Sequence, residues 1–196
     1  MKKQRIIAFD LDGVLGNLVP AICDLCSKLT GVIIAEHEWT TYNYHLSLGV
    51  DHKEFIEGHV THNVLENIII YDDVVKSINL LRACGFTIAV ITARGFHPNG
   101  EAITRETFNK EGIEVDHLLL VDLHETKVDA MRVLQELGEV FTYIDDYLPH
   151  LHSIEIAEMN IKLFLMDKPW NQDDESFTRL SSIRQYADAI LKIYKQ

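Results

Sequence analysis

The chain of 196 residues contains few cysteines. Cys23, Cys26 and Cys84 are odd in number and too few for a disulfide framework, which favours a reducing compartment. Cys23 and Cys26 form a C-x-x-C pair inside a predicted helix, and no second pair of metal ligands lies near them in the sequence. We therefore expect both thiols to pack in a core rather than to bind zinc or to exchange disulfides.

Long apolar runs are also missing. The N-terminal run Ile6–Phe9 is interrupted by Asp10, so it is too short for the apolar region of a signal peptide. No stretch approaches the roughly 20 apolar residues that a membrane-spanning helix requires. We expect a cytoplasmic protein with no membrane partner.

Basic residues are scarce, with 18 Lys and Arg against 30 Asp and Glu, for a formal net charge of −12. A surface with this charge repels polyanions, so long nucleic acid is a disfavoured partner. A small phosphorylated substrate is compatible with it, because one bound cation and a few basic groups can invert the potential of a cleft. The length suits one domain, alone or with a modest insertion.

Two carboxylates stand at the end of the first predicted strand. The apolar run Ile6–Phe9 is followed by Asp10, Asp12 and Gly13. This pattern is typical of a buried strand that delivers its last polar residues to the edge of a sheet, where a glycine allows a sharp turn. The rest of the chain is organised around this strand.

Helices and strands alternate after residue 70. Continuous apolar runs predict strands over 86–91, 117–121 and 161–166, and a further strand that ends at Asp145 and Asp146. Thr126 is predicted to cap a helix with Lys127 in its first turn, and a final helix is predicted from Leu180 to Tyr194. The alternation predicts an α/β fold with a doubly wound parallel sheet, in which ligands bind beyond the carboxyl ends of the strands.

Residues 16–70 lack this alternation. They are predicted to form a small helical cap, and residues 1–15 and 71–196 to form the catalytic core. Trp39, Tyr42 and Tyr44 in the cap could stack on a substrate base, since aromatic faces bind bases. The alternative for each of them is a place in the cap's own core.

The polar residues at the predicted strand ends suit phosphoryl transfer. Carboxylates brought together there repel one another unless a cation joins them, and Mg²⁺ prefers such oxygen ligands. Asp10, nearest the strand end, is the candidate nucleophile, because a carboxylate can form an aspartyl phosphate. Asp12 is the candidate acid and base.

A second group of residues is predicted to bind phosphate. Thr92 offers a hydroxyl and a backbone N–H, Lys127 a charge at a helix N-terminus, and the adjoining Ala93 and Arg94 complete the segment. Arg94 could grip phosphate through its planar guanidinium, or it could form a surface ion pair.

In order and position, Asp10-Leu11-Asp12-Gly13-Val14, Thr92, Lys127 and Asp145-Asp146 resemble the four motifs of the haloacid dehalogenase (HAD) phosphatase superfamily. The resemblance implies that Asp10 is the nucleophile, Asp12 is the acid and base, and Thr92 and Lys127 bind phosphate. It also implies that Mg²⁺ is held by Asp10, Asp12 and Asp145, with the backbone carbonyl of Asp12 as its ligand and Asp146 supporting the metal shell. The insertion corresponds to the helical cap of the first type in this superfamily.

A narrower resemblance is to the 5′(3′)-deoxyribonucleotidases of this superfamily. It rests on the cap size, on the segment Met166–Asn171 and on the closing segment that begins at Arg179. That subfamily usually has serine where this chain has Ala93, and Thr92-Ala93-Arg94 is more similar to polynucleotide 3′-phosphatases. The predicted function is a Mg²⁺-dependent phosphomonoesterase that hydrolyses a small organic phosphate, namely a 5′ or 3′ (deoxy)nucleoside monophosphate, through an aspartyl-phosphate intermediate. A polynucleotide 3′-phosphatase and a sugar-phosphate phosphatase are alternatives.

A non-enzymatic alternative is a receiver-type phospho-acceptor domain. Receivers also place Asp, Thr and Lys around Mg²⁺ at strand ends. Their acceptor Asp follows the third strand and precedes the Thr, whereas here Thr92 precedes Asp122 and the acid pair comes last. The order of the motifs therefore favours the phosphatase.

Overall fold

A parallel sheet organises the protein, for which a computed structural model describes residues 4–195. The strands are β1 (Arg5–Phe9), β2 (Gly16–Asn17), β3 (Ile69–Ile70), β4 (Thr87–Thr92), β5 (His117–Leu120), β6 (Glu139–Asp145), β7 (Lys162–Met166) and β8 (Thr178–Leu180). Six of them form one parallel sheet in the order β5-β4-β1-β6-β7-β8. The predicted α/β fold is confirmed.

Helices cover the sheet and build the insertion. They are α1 (Val19–Thr30), α2 (Tyr44–Ser47), α3 (His52–Thr61), α4 (Val74–Ala83), α5 (Gly100–Glu111), α6 (Val128–Leu137), α7 (Leu148–Ile156) and α8 (Ile183–Tyr194). Apolar clusters lie on both faces of the sheet, and the buried β1 contributes to each of them. Among the described residues, the helices are too short or too polar to cross a lipid bilayer.

The register of β1 brings the predicted site residues to one edge. Phe9 pairs with Val90 of β4 on one side and with Ile144 of β6 on the other. Asp10, directly after β1, and Asp145, the last residue of β6, therefore lie at the same level of the sheet edge. Parallel strands end together, which is why residues far apart in sequence meet here.

The end of the chain differs from the prediction. Leu180, expected in the final helix, belongs to the short parallel strand β8, which pairs with β7 through Met166. The helix α8 begins only at Ile183, and the hydroxyl of Ser182 accepts the N–H of Gln185 at 3.2 Å as a cap. Leu180 has helical spacing from Ile183, but the cap starts the helix after it, and three residues are too few to show strand alternation.

Helix starts elsewhere are close to prediction. Asp51 caps α3 as predicted, since it accepts the N–H of Glu54 at 2.9 Å. In α6 the boundary shifts by one residue: Lys127 and not Thr126 is the N-cap, so Lys127 lies just outside the first turn. Its side chain is drawn into the site described below.

The insertion is a helical unit built on α1, α2 and α3. Two strands, β2 and β3, pair as an antiparallel ribbon where the chain enters and leaves it, with Gly16 opposite Ile70. Cys23 and Cys26 are buried in the apolar cluster of this unit, as predicted from the sequence. Burial raises the pKa of each thiol to about 11, which keeps both protonated and unreactive.

Candidate active site

Three buried carboxylates converge at the carboxyl ends of β1 and β6. Asp10, Asp145 and Asp146 each offer an oxygen, and these oxygens lie within 4.8 Å of one another. All three residues are buried. Such a cluster of like charges is costly unless cations balance it.

Lys127 supplies one cation to the cluster. Its Nζ donates to Asp10 Oδ1 at 2.5 Å and to Asp145 Oδ2 at 2.9 Å, and the side chain is 1% exposed. Burial alone would lower its pKa, but the two carboxylates together outweigh burial and raise the pKa above its usual value, so the amine stays charged. The start of α6 thus places Lys127 between the two acids.

The three carboxylates titrate differently because their surroundings differ. Burial, which Lys127 offsets only in part, raises the pKa of Asp10 well above its usual value. Burial also favours a higher pKa for Asp145, but Lys127 and His150 outweigh it, and the net shift is downward. Burial and the neighbouring Asp145 raise the pKa of Asp146 to about 7. The positive charge of Lys127 alone therefore does not balance the negative charge of the three carboxylates.

The donor set fits a hard divalent cation. Its ligand atoms are carboxylate oxygens, which suit Mg²⁺ better than the softer metals. Burial raises the pKa of Asp10 and Asp146, and a bound cation would favour their ionised forms. Asp10, Asp145 and Asp146 would hold such an ion.

Asp145 is oriented by residues that the sequence analysis did not identify. It accepts hydrogen bonds from the hydroxyl of Tyr143, from the backbone N–H of Tyr147 at 2.9 Å and from Nδ1 of His150 at 3.2 Å. Tyr143 lies two residues before Asp145 in β6, on the same face, and that spacing is a signal in the sequence. His150 comes from α7, and no local pattern marks it.

Asp146 is held between two further segments. Trp170 Nε1 donates to its Oδ2 at 2.9 Å, and Asn171 Nδ2 donates to its carbonyl oxygen at 2.8 Å. Gly13 packs against it so closely that a Cβ on Gly13 would lie 2.5 Å from Asp146 Oδ2. The structure therefore places the carboxylate of Asp146 in the cluster itself, where a supporting position had been expected.

The carboxylate of Asp12 lies in a different set of contacts. It faces Arg94, whose Nε and Nη2 donate to its two oxygens at 2.8 and 2.6 Å. The hydroxyl of Thr92 donates to Asp12 Oδ2 at 3.4 Å. Arg94 is buried, so its predicted alternative as a surface ion pair is wrong, because the chain after β4 turns it inward against Asp12.

A cleft of about 170 Å³ runs from the acids to the cap. Asp10, Asp12, Ala93 and Lys127 line its inner end. Thr92 and Arg94 are buried and do not line it. Of the predicted phosphate-binding residues, the structure thus brings Ala93 and Lys127 to the cleft and turns the side chains of Thr92 and Arg94 toward Asp12.

The three predicted cap aromatics have different positions. Tyr42 lines the cleft and stacks on Tyr147 of the core, with 4.0 Å between ring centroids. Trp39 also lines the cleft but is buried against Phe55 and Tyr44. Tyr44 does not line the cleft and packs on Trp39 in the cap.

His45 is a cleft residue that the sequence analysis missed. Its ring is 1% exposed and stacks on Phe55 with centroids 3.9 Å apart. Neither ring nitrogen has a hydrogen-bond partner among residues 4–195. Burial, reinforced by His52 and His59, lowers its pKa to about 4, so the neutral ring offers one donor and one acceptor.

The fold and the site together define an α/β protein with acids and a lysine at the sheet edge, under a helical cap. No family model and no curated protein matches the chain. A predicted phosphatase from Clostridium acetobutylicum superposes with a TM-score of 0.69 at 13% identity, over 98% of this chain and 100% of that one. A HAD-superfamily hydrolase of subfamily IA from Geobacter sulfurreducens gives 0.64 at 13% identity, over 95% and 99%.

A third solved structure, assigned as a β-phosphoglucomutase from Thermotoga maritima, gives a TM-score of 0.66 at 14% identity over 97% and 100% of the two chains. At such identities the likeness establishes the fold and not the activity. The chain therefore has the HAD-like fold, and the alignments extend over nearly its whole length.

Proposed function

We propose that the protein is a Mg²⁺-dependent phosphomonoesterase that acts through an aspartyl phosphate. The observation that carries the proposal is the contact of one buried lysine, Lys127, with both Asp10 and Asp145 at the inner end of a capped cleft. A carboxylate next to a fixed cation can approach a phosphate dianion that would otherwise repel it. When bound, Mg²⁺ would offset the negative charge of the acids and polarise the phosphoryl group.

The residues divide the reaction between them. An oxygen of Asp10 forms a bond to phosphorus while the ester bond breaks, and the departing alkoxide takes a proton from Asp12. Water then attacks the phosphoryl group and gives a proton to Asp12. The bond between the Asp10 oxygen and phosphorus breaks, so that phosphate is released and Asp10 is restored. Lys127 keeps its charge throughout and orients the nucleophile.

We further propose a nucleoside monophosphate as the substrate, in line with the resemblance drawn from the sequence. The aromatic lining of the cleft, from Tyr42, Trp39 and Phe55, suits a planar base. The neutral ring of His45 also belongs to this lining, and its nitrogens have no hydrogen-bond partner among residues 4–195.

Phosphate release from a panel of esters tests both proposals. The panel contains 5′- and 3′-nucleoside monophosphates in ribo and deoxy forms, sugar phosphates and a 3′-phosphorylated oligonucleotide, each with Mg²⁺ or with EDTA. We expect Mg²⁺-dependent turnover with preference for the mononucleotides. Preference for a sugar phosphate or for the oligonucleotide would overturn the substrate assignment alone.

An Asp10→Asn variant is the matched control for the nucleophile, because it keeps the side-chain volume. We expect a folded protein without measurable turnover on any ester of the panel. Substantial activity in this variant would contradict an aspartyl-phosphate mechanism, whichever substrate is preferred.

A further inference from the structure

Arg94 has a fixed and buried position that the proposed reaction does not yet use. Its Nε and Nη2 pair with both oxygens of Asp12 in a fork-to-fork arrangement, and the side chain is 1% exposed. Such a bidentate pair defines the plane of the carboxylate as well as its position. Arg94 does not line the cleft, so it is not placed to contact a substrate there.

The guanidinium is itself anchored. Nη1 donates to the hydroxyl of Thr104 at 3.2 Å, and that hydroxyl donates to the carbonyl of Gly100 at 2.7 Å. The backbone of Arg94 packs directly on the start of α5, where a Cβ on Gly100 would lie 2.2 Å from the Arg94 carbonyl oxygen. The helix α5 therefore contacts Arg94 at its backbone and at Nη1 of its side chain.

Asp12 is the open partner of this pair. The side chain of Asp12 is 28% exposed and lines the cleft, whereas the side chain of Arg94 is buried. Oδ2 accepts from Arg94 Nε and from Thr92, while Oδ1 accepts from Arg94 Nη2 and, within residues 4–195, from no other side chain. A carboxylate oxygen has two lone pairs, so Oδ1 retains one that can carry a proton.

We propose that Arg94 is a positioning residue that aims Oδ1 of Asp12 at the leaving group, and that Oδ1 exchanges the proton in both steps. The proposal rests on the proposed function. A lysine at this position would keep the charge but offer a point donor without the fork, and so would orient Asp12 less strictly.

The test compares two esters with the same phosphate and different leaving groups. 4-Nitrophenyl phosphate releases a stable phenolate that needs no proton, whereas 2-phenylethyl phosphate releases an alkoxide that needs one. The value of kcat/KM reports on steps up to departure of the leaving group and excludes hydrolysis of the intermediate. Selective loss on the alkyl ester therefore isolates the proton donation.

For Arg94→Lys we expect kcat/KM on the alkyl ester to fall by about 10- to 100-fold more than on the aryl ester, near the lower range of general-acid contributions. Asp12→Asn should show the same selectivity in a stronger form. The matched control is Arg105→Lys, which should leave both values unchanged, because Arg105 is an exposed residue of α5 that pairs with Glu101.

Equal losses on the two esters, or no loss, in a folded Arg94→Lys protein would overturn the positioning role. If Arg94→Lys does not fold, Thr104→Val is the second variant, because it removes the hydrogen-bond partner of Nη1 and keeps the pair between Arg94 and Asp12. The same ratio of kcat/KM on the alkyl ester to kcat/KM on the aryl ester is then measured. An unchanged ratio in this variant also overturns the positioning role. Wild-type protein that releases phosphate from these two esters and from every ester of the panel at no measurable rate with Mg²⁺ would instead overturn the proposed function itself.

Discussion

At the scale of single residues, Lys127 holds the buried acids together. Its ammonium group contacts both Asp10 and Asp145, and removing it leaves these two carboxylates close together without the cation that they share. Breaking a buried ion pair in this way typically costs about 3–5 kcal/mol of the free energy of unfolding. The lysine thus serves stability and the proposed chemistry together.

Lys127→Met should lose that amount of stability and at least ~100-fold of any phosphatase activity, since a fixed cation near developing charge is worth that much. Urea unfolding without Mg²⁺ measures the first effect, and phosphate release measures the second. Lys53→Met is the control, because Lys53 is 83% exposed and its pair with Glu57 is worth less than about 1 kcal/mol. Equal stability of the two variants would contradict the role of Lys127.

Asp146 makes the stability of the metal-free protein depend on pH. Its pKa rises from 3.8 to about 7 on folding, so the folded state binds a proton that the unfolded state releases. The stabilising contribution is complete below pH 3.8 and is lost as the pH rises through about 7. Asp10, whose pKa is also raised, acts in the same direction.

The measurement is the free energy of unfolding in EDTA at several pH values between 4 and 7, for wild type and for Asp146→Asn. The wild type should lose stability relative to the variant as the pH rises. Taking the difference removes the opposite contribution of His45, whose lowered pKa adds stability toward neutral pH in both proteins. A difference that does not change with pH would contradict the burial of an ionisable Asp146.

At the scale of elements, the turn after β1 decides how closely the segment with Asp10 and Asp12 approaches Asp146. Gly13 has a φ of +87° and lies against the carboxylate of Asp146. The first feature disfavours any side chain, and the second leaves no room for one. The loop that carries Asp10 and Asp12 therefore depends on this glycine.

Gly13→Ala should lower the free energy of unfolding by more than the ~1–2 kcal/mol that a left-handed backbone costs a residue with a side chain. It should also lower activity by displacing Asp146. Gly31→Ala is the matched control: its φ is +73° and a Cβ there meets nothing within 4 Å, so the backbone cost alone is expected. Thermal unfolding and phosphate release of both variants test the difference. Similar losses of stability and activity would show that the approach to Asp146 is unimportant.

Several elements could be predicted from the sequence because their signals are local. The strand β1 and the cap of α3 follow from adjacent residues, an apolar run and an aspartate before a helix. The strand β8 escaped prediction because its three residues carry no period and its pairing partner is β7. The ribbon of β2 and β3 was missed for the same reason, since Asn17 and its partner Ile69 are 52 positions apart in the sequence.

At the scale of the whole molecule, the cap and the core meet at the ring of Tyr42. It stacks on Tyr147, which directly follows the acid pair, and it lines the cleft. A base bound in the cleft would contact this ring, whereas a small alkyl phosphate would not reach it. The residue therefore links substrate size to the contact between cap and core.

Tyr42→Ala should raise KM for a nucleoside monophosphate by about 10-fold, near the 1–3 kcal/mol that stacking on an aromatic contributes, and should change KM for methyl phosphate much less. Tyr44→Phe is the control, because Tyr44 packs in the cap away from the cleft. Steady-state kinetics on the two esters make the comparison. Equal changes for both would place Tyr42 in the support of the cap.

The sequence by itself determined the class of fold and the residue types at the strand ends, because apolar runs, turn glycines and helix caps are properties of neighbouring residues. The tertiary structure alone decided which side chains touch. It pairs Asp12 with Arg94 across 82 positions and Lys127 with Asp10 across 117, and it leaves His45 in the cleft without a partner among the described residues. The direction of a side chain depends on packing between distant segments, and no local pattern records that packing.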